Sequence, residues 1–497
     1  MSERLRYSFG PLERRGLLGQ LPGASAGCLA VGVLAAIALL DVTPSPAGLF
    51  EALLAVTSSA AVALLPLRGR PAAEWGPLVV AHLGRRATGR HRFASTVATT
   101  GARAAIGLRR PADLSGPVPV APPQLRGVRI ISAGYHGRTI GALAEDSARR
   151  LTAVLACRVP AFALLDSDAQ ERRLARWGQV LAAAGGSSIR RLQWIERSAP
   201  APGDELARWV HDERDPAVPA RGVPLIESYL ELIGATDGAS QLHEVLIAVQ
   251  IDGRLTRDRR RADPLTTLIE ATERVARGLR AAEVAVLGAL SPQQLAQNLR
   301  TAFDPFLRSE LARLAAADPA REGLDEYGAW PLGACEAWEH YRVDGSLHAT
   351  YWIGSWPRLE VSPLFLSPLL GSSGAVRTVA VSFEPLASAR STREVEAAVT
   401  RDRADRELRA RFGQSETARQ RQTQEATARR ESELAAGHGE VRLSGFVTVT
   451  GRDPDELRRS CAEVSDQAAR AHLDLHRLYG QQADAFTFTL PLARGLR

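Results

Sequence analysis

Any chemistry this chain performs must come from a short list of residues. The stretch GYHGRTIG (Gly134 to Gly141) carries three glycines after a strand-like run. Its spacing is not the Gly-x-Gly-x-x-Gly that lets a backbone wrap a pyrophosphate, and no acidic residue is placed to hold a ribose, so it reads as a tight turn. His243-Glu244 has no second His four positions after the first, which rules out the helical zinc-protease pair. Gly437-His438-Gly439 is what a helix end followed by a turn demands. No Gly-x-Ser-x-Gly elbow is present. All 62 basic residues are Arg, so the chain cannot form a Schiff base, fill a phosphate loop with its Lys, or build a Ser-x-x-Lys dyad. Cys28, Cys157, Cys335 and Cys461 stand far apart with no Cys-x-x-Cys pair. No catalytic, metal or cofactor residue emerges, and the chain reads as a non-enzyme.

Binding is better represented than catalysis. Four of the eight Trp (Trp330, Trp338, Trp352, Trp356) and two of the seven Tyr (Tyr341, Tyr351) fall between residues 330 and 356. Trp, Tyr and Arg dominate binding energy once desolvated. Trp338, Tyr351, Trp352, Trp356 and Arg358 are therefore the candidates for a partner interface, with an aromatic core as the alternative. Arg with aromatics can also hold nucleic acid, although the Arg here alternate with acids and are locally compensated.

The elements that must position these residues begin with two apolar runs. Leu21 to Leu40 carries no charge over about 20 residues, enough for a bilayer core of roughly 30 Å. After Asp41 to Pro46, residues 47–67 form a second run interrupted by Glu51. A transmembrane hairpin over residues 1–70 is expected. Arg4, Arg6, Arg14 and Arg15 precede it, Arg68, Arg70, Arg85, Arg86, Arg90 and Arg92 follow it, and the connecting loop has no Arg. Both termini and the bulk of the chain should then be cytoplasmic. Glu74 to Arg86 is either a helix lying among lipid headgroups or a plain connecting helix.

A Pro-rich linker closes a juxtamembrane region at residues 71–124, and the remainder reads as an α+β cytoplasmic part divided into 125–345 and 346–497. Strands are expected at 125–137, 151–165, 189–197, 243–251, 282–290, 375–386, 440–451 and 485–492, and helices at 166–184 and 263–279. The rhythm suggests duplicated βαβ units. Its best support is a shared cap, Ser291-Pro292 with Gln294 and Asp453-Pro454 with Glu456. Residues 391–434, alternating Arg with Asp or Glu, are expected to form a long charged helix.

With the hairpin, YSFGPLERRGLLG (Tyr7 to Gly19), GRPAAEWGPL (Gly69 to Leu78), ATYWIGSWPR (Ala349 to Arg358) and LYGQQADAFTFTLPLARGL (Leu478 to Leu496) in view, the chain resembles an actinobacterial integral membrane protein family over nearly its whole length. The family's hairpin is similar to PrgI-like conjugation proteins, and its cytoplasmic part resembles the non-ATPase portion of TraC/TraE-type transfer proteins. The resemblance implies an inner-membrane structural component of a type IV secretion-like or conjugative apparatus. Its implied partners are a separately encoded ATPase, sister membrane subunits in an oligomer, and the lipid bilayer. A similar layout occurs in EccE-type membrane subunits of type VII secretion, which is the alternative reading. An Arg-rich membrane module contacting DNA is a third.

Overall fold

The computed structural model describes residues 23–67, 70–95, 121–135, 138–145, 149–159, 162–200, 241–253, 263–311, 328–357, 360–371, 374–386 and 440–495, with isolated positions between. Nearly all of the expected charged helix at 391–434, and the residue Arg358, lie outside them.

Two apolar helices open the described chain, α1 (Gly23–Val42) and α2 (Pro46–Leu64), both long and apolar enough to cross a bilayer. The break between them is shorter than the sequence suggests. Helix α1 runs on through Asp41 and Val42, and α2 starts at once because Ser45 caps it, its Oγ accepting from the Gly48 N–H at 3.2 Å, with Pro46 in the first turn. The two helices meet through small residues. A Cβ on Gly32 would sit 1.9 Å from Ser59 Oγ, and Ser25, Ala26, Ala36, Ala52 and Ala63 are also buried. The large apolar side chains point outwards: Val31, Leu34 and Phe50 are 67%, 66% and 68% exposed. A water-soluble hairpin does the reverse, whereas helices surrounded by lipid associate through small residues.

Helix α3 (Ala72–Ala87) follows a two-residue strand pair, β1 (Pro66–Leu67) with β2 (Arg70–Pro71), and leads into β3 (Arg92–Ala94). Strand β3 is already part of the body, pairing antiparallel with β10 (Gly333–Glu336).

The body is a sheet of 13 strands, every described pair antiparallel. Its first half contains β4 (Arg129–Tyr135), β5 (Arg138–Glu145), β6 (Arg150–Arg158), α4 (Ser167–Ala184), β7 (Ile189–Pro200), β8 (Gln241–Asp252), α5 (Pro264–Ala281), β9 (Ala285–Ala289) and α6 (Pro292–Phe303). The second repeats that order from β10: β11 (Tyr341–Val343), β12 (Ser346–Ser355), α7 (Ser367–Leu370), β13 (Val376–Pro385), β14 (Val441–Gly451), α8 (Pro454–Arg470), β15 (Asp474–Arg477) and α9 (Gln482–Phe486). Strand order repeats too. The halves read β4-β5-β6-β8-β7 and β10-β11-β12-β14-β13, with β9 beside β6 and β15 beside β12, and they join through β7 and β13. Strands on either side of residue 345 thus share one sheet.

The duplication is real in topology, but its units are antiparallel rather than βαβ, and the caps that suggested it are not equivalent. Asp453-Pro454 opens α8, whose counterpart is α5, opened by Asp263-Pro264; Ser291-Pro292 opens α6, whose counterpart is α9. The ends of α5 and α8 confirm the match. Glu283 and His472 both take left-handed backbone (φ +60° and +56°). The next amides, of Val284 and Leu473, reach back to the carbonyls of Leu279 and Ala468 at 3.0 and 2.9 Å, a Schellman ending in both halves.

Alternation on the strands supplies two core layers. Ala142, Ala153, Leu155, Ile247 and Val249 face α4 and α5, while Leu143, Val154, Leu246 and Ala248 face α6. In the second half Ala349, Tyr351, Val379 and Val447 pack under α8. The expected strand at 485–492 is instead α9 and a 3-10 turn (Thr487–Thr489). Phe486, Thr487 and Thr489 are all buried, so no solvent face exists for a strand, and the Thr487 and Thr489 hydroxyls donate three residues back, to the carbonyls of Asp484 and Phe486. This tail crosses the sheet centre, stitched by Gln193 to the Phe488 carbonyl and the Ala493 N–H and by Gln250 to the Leu492 carbonyl, at 2.7–2.8 Å.

Candidate functional site

The most specific arrangement in the molecule lies where α3 meets the body. Along α3, Trp75, His82 and Arg85 recur at helical spacing on one face. Against them stand Trp338, from the turn between β10 and β11, and Tyr479, just after β15. Trp75 lies 6.0 Å from Trp338 and 5.6 Å from Tyr479 between ring centroids, and the His82 ring meets Trp338 edge-on at 5.2 Å. These are productive aromatic distances.

Charge fixes the register of that contact. Arg85 Nε donates to Glu336 Oε2 at 2.9 Å, and its Nη2 donates to the Gly480 carbonyl. Glu336 Oε1 accepts from the Ala483 N–H at 3.1 Å, so one carboxylate ties α3 to α9. Burial pushes the Glu336 carboxyl above its ordinary range, opposed by the Ala483 N–H and by Arg85. Asp484 is raised by burial too, opposed by Arg85 and Arg494. Arg85 is the counter-ion of the buried Glu336 and also opposes the upward shift of Asp484, which itself reaches the surface. Gly480 makes the contact possible: its backbone is left-handed (φ +67°), and a Cβ there would lie 2.5 Å from the Trp338 ring. Beyond α3, the Ser95 N–H donates to the Leu332 carbonyl at 2.7 Å and seals β3 on the sheet edge.

The expected interface residues are dispersed by strand alternation. Tyr351 and Trp356 lie in the core under α8, and burial raises the Tyr351 phenol. Trp352, on the opposite face of β12, is half-buried and 5.8 Å from the His476 ring. Trp338 is half-buried in the contact with α3, and Trp330 is core. Sequence reading placed Trp75 and Arg85 at the membrane surface, whereas both face the body, and it missed His82, Glu336 and Tyr479; the available signal was the spacing of Trp75, His82 and Arg85 along one helix face.

Part of the Arg complement is internal. Arg197 is 1% exposed and donates to Glu244 Oε2 at 3.3 Å and to the Asn298 carbonyl at 3.2 Å. Burial pulls its pKa down and Glu244 opposes this. Among the described residues no group of His, Cys, Asp and Glu side chains converges to hold a metal ion.

An apolar hairpin clamped to a duplicated antiparallel sheet is the architecture these observations define. Residues 242–353, from β8 through most of β12, match the family described as "Putative type VII ESX secretion system translocon, EccE". No curated protein matches the chain. The match supports the type VII alternative and gives no support to the PrgI-like or TraC/TraE-type resemblance.

Proposed function

We propose that this protein is a membrane-anchored structural subunit of a type VII-like secretion assembly that works by binding rather than catalysis. The observation that carries the membrane half of this reading is the inverted burial of the hairpin, small residues inside and large apolar ones outside. The family match at 242–353 carries the assembly half. That stretch holds strands of both sheet halves together with Glu336 and Trp338, so the segment similar to EccE is also the one that receives α3.

Arg flanks both ends of the hairpin and is missing from its short loop, which orients the termini and the body towards the cytoplasm of the inner membrane. Force for transport must come from elsewhere, because a chain without Lys has no phosphate-loop Lys. Its partners are then a separately encoded ATPase and sister membrane subunits. Within the aromatic segment, Trp352 and Trp338 are the rings a partner could reach, since Tyr351 and Trp356 are core. The test is purification of the tagged full-length chain from its native membrane in mild detergent, with the co-purifying subunits identified. Recovery of type VII membrane subunits supports the proposal; recovery of conjugation subunits instead contradicts it.

A further inference from the structure

We infer that α3 is an interfacial helix whose outer face, Gly76, Val79, Val80, Leu83 and Ala87, sits in the headgroup and upper acyl layer of an anionic membrane while its inner face grips the body. The inference rests on the proposed membrane anchoring and extends it to where the body sits relative to the lipid.

Two faces of one helix carry the argument. Trp75, His82 and Arg85 point at Trp338, Tyr479 and Glu336. The opposite stripe recurs at three- and four-residue spacing and is apolar throughout. It is open among the described residues, with Val80 70% and Leu83 58% exposed. A helix between a hairpin and a soluble sheet has no reason to expose such a stripe to water, and a lipid boundary removes the cost. Helix α3 also packs against both α1 and α2, whose outward side chains are large and apolar, so the stripe stands beside a hairpin already assigned to lipid.

Charge selects the leaflet. Arg86, at the end of α3, and Arg90 and Arg92 in the turn and strand after it are exposed. Each cation close to an anionic surface raises occupancy there by roughly fivefold. Arg85, by contrast, is engaged with Glu336 and the Gly480 carbonyl and belongs to the body. With one face in lipid and the other on the sheet, α3 fixes the orientation of the body against the membrane, which a flexible tether could not do.

The experiment uses the full-length chain in nanodiscs of phosphatidylglycerol and phosphatidylcholine containing a lipid with a diazirine near its glycerol backbone, and maps the photo-adducts by mass spectrometry. Adducts on Val79, Val80 and Leu83, falling roughly tenfold in a Val80→Asp/Leu83→Asp variant that melts at the wild-type temperature, are the expected result. The share of phosphatidylglycerol around α3 should fall between about 0.1 M and about 1 M salt, as the screening length shortens from about 10 Å to about 3 Å. Adducts on 23–64 with none on 76–87 overturn the inference and leave the membrane anchoring intact. No adduct anywhere on 23–87 removes the membrane anchoring itself.

Discussion

Replacing Gly480 by Ala should open the contact between α3 and the body. Two costs add. The left-handed backbone at φ +67° disfavours any side chain by about 1–2 kcal/mol. The new Cβ would stand 2.5 Å from the Trp338 ring, which must move away from Trp75 and Tyr479. Each such aromatic pair is worth about 0.5–1.5 kcal/mol. A total of about 2–5 kcal/mol follows, and because about 1.4 kcal/mol is tenfold in an equilibrium, local opening should rise by roughly 30-fold or more. Hydrogen exchange of the full-length protein in detergent reads this at the Ala483 amide, which is bonded to Glu336. Gly186→Ala is the control: its φ of +73° carries the backbone cost, but nothing lies within 4 Å of its Cβ. If the two variants open their own surroundings equally, the clash with Trp338 is not felt and the account of the contact is refuted.

Further expectations concern the body. His348 is fully buried, donates from Nε2 to the Phe303 carbonyl (2.8 Å) and accepts the Thr450 hydroxyl at Nδ1 (2.9 Å); burial brings its pKa down to about 4. A depressed pKa stabilises the fold above the unfolded value of 6.5, and that stability is lost as pH falls towards about 4. Denaturant titrations should show up to about 3 kcal/mol of loss across that window, reduced in His348→Asn. Gly445→Ala puts a Cβ 2.6 Å from Ile353 and 2.8 Å from Trp356, and overpacking there should cost about 1–3 kcal/mol, measured by denaturant unfolding with a shift in Trp emission. Burial raises the Cys157 thiol to about 12, so alkylation at pH 8 followed by mass spectrometry should leave Cys157 unmodified until the protein is unfolded. Asp263→Ala and Asp453→Ala, which remove equivalent caps of α5 and α8, should each cost about 1 kcal/mol in the same unfolding assay.

Sequence reading recovered what is written locally. The two apolar runs became α1 and α2 because length and the lack of charge are sufficient signals, and β8 was legible at His243 to Ile251 as a short apolar run rich in β-branched residues. The duplication was legible as a rhythm but was aligned on the wrong helices. Cap residues report only the chemistry of a helix start, so Ser291-Pro292 and Asp453-Pro454 look alike although the pairing of β6 with β8 and of β12 with β14 sets a different correspondence. The tail at 485–492 misled because alternating Phe and Thr imitates a strand, while here the hydroxyls satisfy local carbonyls and Gln193 and Gln250 supply the partners a neighbouring strand would have given. The contact between α3 and the body was hidden for another reason. Trp75, Trp338 and Tyr479 lie far apart in the chain, and only the sheet brings them together. Clustering of Trp in sequence pointed at residues that alternate between the two faces of β12, so Tyr351 and Trp352 ended on opposite sides.

The proposed place of the chain is a membrane-embedded secretion assembly. The most direct measurement is native electrophoresis of mildly solubilised membranes from the source organism, detecting the tagged full-length chain and identifying what migrates with it. A band far above the mass of one chain, containing type VII membrane subunits, is the predicted result. Recovery of the chain alone, or in the aqueous fraction, would contradict the account.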